Sequence, residues 1–92
     1  MVRVLVLYEQ EPEPERYAQH VALCELVPRA TFRHGRIFGA PTGEARYRYM
    51  AEFEFPDMET FLDCARTKEF AATGHDAEAL GIPYTVQFAE IA

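Results

Sequence analysis

Arg46–Phe55 reads RYRYMAEFEF, and in it Tyr47, Tyr49, Ala51, Phe53 and Phe55 alternate with Arg46, Arg48, Met50, Glu52 and Glu54. A period of two places the first set on one face of a β-strand and the second on the other. Five apolar or aromatic side chains on one face require a covering layer, and the amphipathic helical patterns that could supply it lie on either side of this strand. The strand is therefore expected to be central. Upstream, Val2–Tyr8 is apolar at every position but Arg3, the pattern of an interior strand buried on both faces.

Between these strands, Glu9–Glu15 alternates four glutamates with Gln10, Pro12 and Pro14. This reads as a solvated loop leading into a helix, with Pro14 in the first turn and carboxylates at its positive end. Tyr17, His20, Val21, Leu23, Cys24 and Val27 then share one helical arc, with Pro28 as the stop. His20 lies near the middle of that arc, where a structural histidine with one satisfied hydrogen bond is the commoner occupant and a proton-transfer residue the sharper alternative.

Thr31–Gly39 is expected to form a strand joined to the Arg46 strand by a hairpin loop, Ala40–Glu44. Phe32, His34, Arg36 and Phe38 would share a face, and this set matches the tyrosine and phenylalanine face of the neighbouring strand better than its alternate. Five of the nine basic residues, Arg29, Arg33, Arg36, Arg46 and Arg48, fall in this hairpin. They could serve an anion site, but pairing with Glu52 and Glu54, within the sheet or between subunits, is favoured.

Downstream, Pro56-Asp57 ends the strand, Asp57 is a candidate N-cap, and Met58, Phe61, Leu62, Ala65 and Ala72 trace a second helix that Gly74 should stop. Asp76–Leu80 could add another turn or two before Gly81. A last strand, Tyr84–Ile91, follows Pro83. The order is βαββαβ, the ferredoxin-like α+β arrangement in which two helices cover one face of a four-stranded antiparallel sheet. The opposite face would be closed by a second copy.

Composition narrows the function classes. At 92 residues the chain is expected to be one domain, residues 1–92. A formal net charge of -6 argues against nucleic acid as a partner, because such binding needs clustered cations. No apolar run approaches the roughly 18 residues of a membrane span, so a membrane partner is not expected and the chain reads as soluble and cytoplasmic. There is no serine, asparagine or tryptophan, and Lys68 is the sole lysine. Serine nucleophiles, P-loops and dinucleotide fingerprints are thereby excluded. Cys24 and Cys64 have neither disulfide-framework nor zinc-ligand spacing and read as buried thiols.

The segments VRVLVLY, RYAQHVALCELVP, AEFEFPDMETF and GIPYTVQFAEI together resemble the EthD-type members of the dimeric α/β-barrel superfamily. The family's tyrosine, histidine and proline-leucine run in the first helix is matched by Tyr17, His20 and Leu23, with Ala22 where the proline is common and the tyrosine one residue closer. The resemblance implies a homodimer whose sheets form a barrel with the helices outside. It also implies relatives acting in ether degradation or in oxidation, cyclisation or isomerisation of aromatic and polyketide substrates. Two readings follow. In the enzyme reading, with oxygenase-like or isomerase-like chemistry and no cofactor required, His20 moves a proton on a small apolar or aromatic substrate. Tyr17 is then its polar neighbour, and His34, Arg36, Tyr47 or Tyr49 hold an oxyanion. In the binding reading, the same pocket only holds a metabolite for a degradation pathway. No metal ligand set is expected.

Overall fold

The computed structural model describes residues 1–92. Its elements are β1 (Val2–Tyr8), α1 (Pro14–Cys24), β2 (Thr31–Arg36), β3 (Tyr49–Phe55), α2 (Met58–Cys64), α3 (Lys68–Ala79) and β4 (Tyr84–Glu90). The four strands form one sheet in the order β2-β3-β1-β4, and every neighbouring pair is antiparallel. This is the expected ferredoxin-like arrangement, with both strands expected to be interior in that position. The second helical segment differs from a single helix: it is two helices, α2 and α3.

Register explains the layers. Val2, Val4, Val6 and Tyr8 of β1 lie opposite Phe55, Phe53, Ala51 and Tyr49 of β3, and they build the core beneath the helices. The Arg46 strand starts at Tyr49, not Arg46, because β1 ends at Tyr8, whose carbonyl takes the Arg48 N–H at 2.8 Å as the last rung. Arg46, Tyr47 and Arg48 therefore belong to the loop, where the Arg46 guanidinium stacks on the Tyr47 ring at 5.3 Å. Likewise β2 ends at Arg36, the connection runs from 37 to 48, and Phe38 is 93% exposed instead of sharing the strand face. The facing of β2 is as expected: Phe32 pairs with Phe53, His34 with Ala51 and Arg36 with Tyr49.

Helix α1 is capped by Glu13, whose carboxylate accepts the Glu15 and Arg16 N–H groups, and Pro14 opens it. The regular helix ends at Cys24, one turn before Pro28, and tighter turns carry the chain past Leu26 and Val27. Asp57 caps α2 through the Thr60 N–H at 2.8 Å. Helix α2 stops at Cys64 because Thr67 interrupts it: the Thr67 hydroxyl donates to the Cys64 carbonyl at 2.7 Å and accepts the Phe70 N–H at 3.2 Å, starting α3. Gly74 does not stop a helix; α3 runs through it. Met58 and Leu62, expected on the buried stripe, are 41% and 48% exposed, while Phe61 and Cys64 carry the burial of α2.

On the sheet face away from the helices, Arg3, Leu5 and Leu7 sit between Glu54, Glu52 and Met50 on β3 and Ala89, Gln87 and Thr85 on β4. Arg33 pairs with Glu52 at 3.0 Å and Glu54 at 2.7 Å, and Arg3 with Glu54 at 3.1 Å. Arg33 of the hairpin is thus engaged in cross-strand ion pairs. No helix is long and apolar enough to cross a membrane.

Candidate active site

Helix α1 presents Tyr17, His20 and Cys24 at successive turns toward the sheet, all buried. The His20 ring is held from the other helix: Nδ1 lies 2.8 Å from an Asp76 carboxylate oxygen on α3. Arg16, one turn before His20, grips the same carboxylate with two guanidinium hydrogen bonds, 2.7 and 3.2 Å long. The Arg16 cation, opposed by partial burial and aided by His20, holds the Asp76 carboxyl below the usual carboxylate range. An ionised acceptor at Nδ1 places a ring proton there, and in the neutral ring this tautomer has Nε2 as its lone-pair acceptor. Nε2 makes no hydrogen bond, yet it is not sealed, since Arg3 Nε is the one fully buried side-chain polar atom without a partner.

His20 borders a cavity of about 120 Å³ between the helices and the sheet, twelve of whose fifteen lining residues are hydrophobic. Its polar contributors are few. Thr73 spends its hydroxyl on the Phe70 carbonyl at 2.7 Å. Tyr8, fully buried, accepts the Tyr17 O–H at 3.3 Å, so its own proton remains available. Burial pushes the Tyr8 phenol up to about 12 and raises that of Tyr17 further, with the hydrogen bond to Tyr8 adding to the rise. Both phenols are therefore neutral donors across the physiological range. Burial also pushes the Cys24 thiol up to about 12, which removes it as a nucleophile.

A second, more open groove of about 330 Å³ is lined by Glu11, Pro12, Pro14, Tyr17, Ala18, Val21, His34 and Tyr49. There the Tyr49 hydroxyl and His34 Nδ1 are 2.6 Å apart. Burial, followed by the Glu11 charge, raises the Tyr49 phenol. Tyr17 lines this groove only, with its ring centroid 5.2 Å from His20, 5.6 Å from His34 and 5.2 Å from Tyr49. Arg36 and Tyr47 line neither space. No three histidine, cysteine or acidic side chains converge as a metal-ligand set.

No family model and no curated protein matches the chain. Among solved structures, it is similar to an ethyl tert-butyl ether D (EthD) family protein from Bacillus halodurans, at 28% identity, TM-score 0.82, covering 100% of this chain and 99% of that one. The chain resembles this EthD family protein over its whole length. A dimeric ferredoxin-like protein of unknown function from Jannaschia sp. CCS1 superposes with TM-score 0.75 at 22% identity, over 98% of each chain. SnoaB, a cofactor-independent oxygenase from Streptomyces nogalater, does so with TM-score 0.62 at 15% identity, over 98% of this chain and 91% of SnoaB. These last two likenesses are of fold.

The candidate residues sort into two places: His20 borders the cavity beneath the helices, while Tyr17, His34 and Tyr49 line the outer groove. Two members of the cavity site were not singled out as site residues from sequence. Tyr8 looked like one more core position of an interior strand. Asp76 lay beyond Gly74, where the helix was expected to stop; an uninterrupted helix would have placed it on the α3 turn that also carries Thr73 and Ala77, facing α1.

Proposed function

We propose that this chain is a small-molecule enzyme in which His20 acts as a general base on a neutral, single-ring apolar or aromatic metabolite held in the cavity between the helices and the sheet. The observation that carries this reading is the His20–Asp76 pair at the one polar pole of an apolar cavity. Asp76 fixes the Nδ1–H tautomer and stabilises the imidazolium that forms when Nε2 takes an acidic C–H or O–H proton. Tyr8, whose proton is free, donates to the oxyanion or enolate left on the substrate. Tyr17 orients Tyr8 through its own O–H. The size of the cavity supports a ligand of one ring, since an apolar cavity of about 150 Å³ accommodates benzene. No cation lines it, so an anionic carboxylate or phosphate substrate is disfavoured. The likeness to an EthD family protein and, in fold, to a cofactor-independent oxygenase is in keeping with degradation-type oxidation, cyclisation or isomerisation without a cofactor of the chain's own.

The same reading makes the 92 residues one working unit and its active form a homodimer through the sheet face opposite the helices, where Leu5, Leu7 and Met50 are only half covered. Neighbours described as dimeric ferredoxin-like proteins support it. The deciding experiment is turnover of a panel of single-ring phenols and enolisable cyclic ketones by wild type, His20→Gln and Asp76→Asn. A drop of about 10²- to 10⁴-fold in His20→Gln, with fold and association intact, is expected for loss of a general base. Full activity in that variant would remove His20 as the base, and absence of turnover in the wild type would leave the alternative, a non-catalytic binding protein.

A further inference from the structure

Helix α3 carries a glycine, Gly74, in its interior, where glycine is a poor helix former because its backbone loses the most freedom. Two circumstances ordinarily explain such a glycine, and neither holds here. The glycines with positive φ are Gly43 and Gly81, not Gly74. A Cβ built on Gly74 would meet no heavy atom within 4 Å, so no close approach of another segment excludes a side chain. What lies beside Gly74 is the cavity, which it lines together with Phe70, Thr73 and Ala77 of the same helix. Of all the lining residues only Gly74, Val86 and Phe88 are exposed. The last two belong to the edge strand β4, and their 43% and 64% exposure marks where the cavity reaches solvent.

We infer that Gly74 is the doorway residue of the cavity: with Val86 and Phe88 it frames the mouth, and its missing side chain sets the width of ligand that can enter. The inference rests on the proposed reading that the cavity takes a small neutral ring. A flat, single-ring compound passes a mouth bounded by backbone on one side and a phenylalanine on the other. A fused or branched one is retarded first when any side chain is added. The helix accepts a weak position in exchange for access, so replacing Gly74 should raise stability and reduce ligand entry together, a combination that a purely structural residue would not give.

The test uses phenol and indole as probes, with association rates taken from NMR line shapes on the full chain. Gly74→Ala and Gly74→Leu are compared with wild type, and Ala79→Leu, exposed on the same helix and outside the cavity lining, serves as control. Expected are melting temperatures at or above wild type for the Gly74→Ala variant, a phenol association rate at least tenfold lower in Gly74→Leu, and an unchanged rate in Ala79→Leu. Should Gly74→Leu fold poorly, Gly74→Ala decides: its ratio of indole to phenol association rates must fall below that of wild type. Wild-type rates for both probes in a folded Gly74 variant would overturn the doorway while leaving the cavity reading intact. A wild type that takes up neither probe would overturn both.

Discussion

Asp76 is the residue on which the site turns, because one carboxylate receives His20 from α1, receives Arg16 one turn earlier, and ties α1 to α3. The Arg16 guanidinium, the largest influence on it, lowers its pKa. The unfolded chain, with an ordinary aspartate near 3.9, therefore binds a proton at higher pH than the folded one. Its contribution to stability is complete above about pH 5 and is lost as pH falls through the folded value. Denaturant titrations of wild type and Asp76→Asn should converge on acidification below about pH 4; a constant gap between them down to pH 2 would contradict the pairing. Cys24 and Cys64 make a second residue-level case, since both thiols are buried and both pKa values are raised, first of all by burial. Thiol-specific labelling of either should be slow in the native protein and fast in denaturant, and rapid native labelling would count against the packing described.

Among the elements, those whose apolar period matches their geometry were legible in the sequence. The alternation Tyr49, Ala51, Phe53, Phe55 is the buried face of β3, and Val2, Val4, Val6, Tyr8 that of β1. Side-chain alternation also oriented β2, because Phe32, His34 and Arg36 can meet the aromatic face of β3 in only one facing. Ends and interruptions were less legible. Alternation continues through Arg46 and Tyr47, but the strand ends where β1 ceases to supply a partner, a limit set by a segment 40 residues away. The break between α2 and α3 depends on one hydroxyl, Thr67, and leaves no mark in the apolar period. Thr67→Ala removes the α3 N-cap and should lower stability by about 1 kcal/mol, read as a fall in the urea midpoint at constant m-value. An unchanged midpoint would mean that α3 is started by packing alone.

Across the whole molecule the two sheet faces have different tasks. One carries the helices, the cavity and the dyad. The other mixes Leu5, Leu7 and Met50 with the Arg3, Glu54, Arg33, Glu52 ion-pair ladder, a surface suited to a second copy of itself. A carboxylate placed among those leucines would be desolvated without a partner on association. Met50→Glu should accordingly shift the chain toward monomer in light scattering at micromolar concentration, and a monomeric wild type would remove the dimer from the account. The candidate site was only half legible at this scale. His20 stood out because an imidazole occupies the centre of an apolar arc, but its partner is 56 residues away, and no local pattern in the chain relates the two.

In the proposed mechanism His20 offers a proton-accepting Nε2 to a ligand in the apolar cavity. Two-dimensional ¹H–¹⁵N spectra of the histidine ring, with and without phenol, test it most directly. Expected are the Nδ1–H tautomer in the free protein and a marked shift of Nε2 as the phenol hydroxyl hydrogen-bonds to it. An Nε2–H tautomer, or an Nε2 resonance indifferent to phenol while cavity side chains respond, would contradict it.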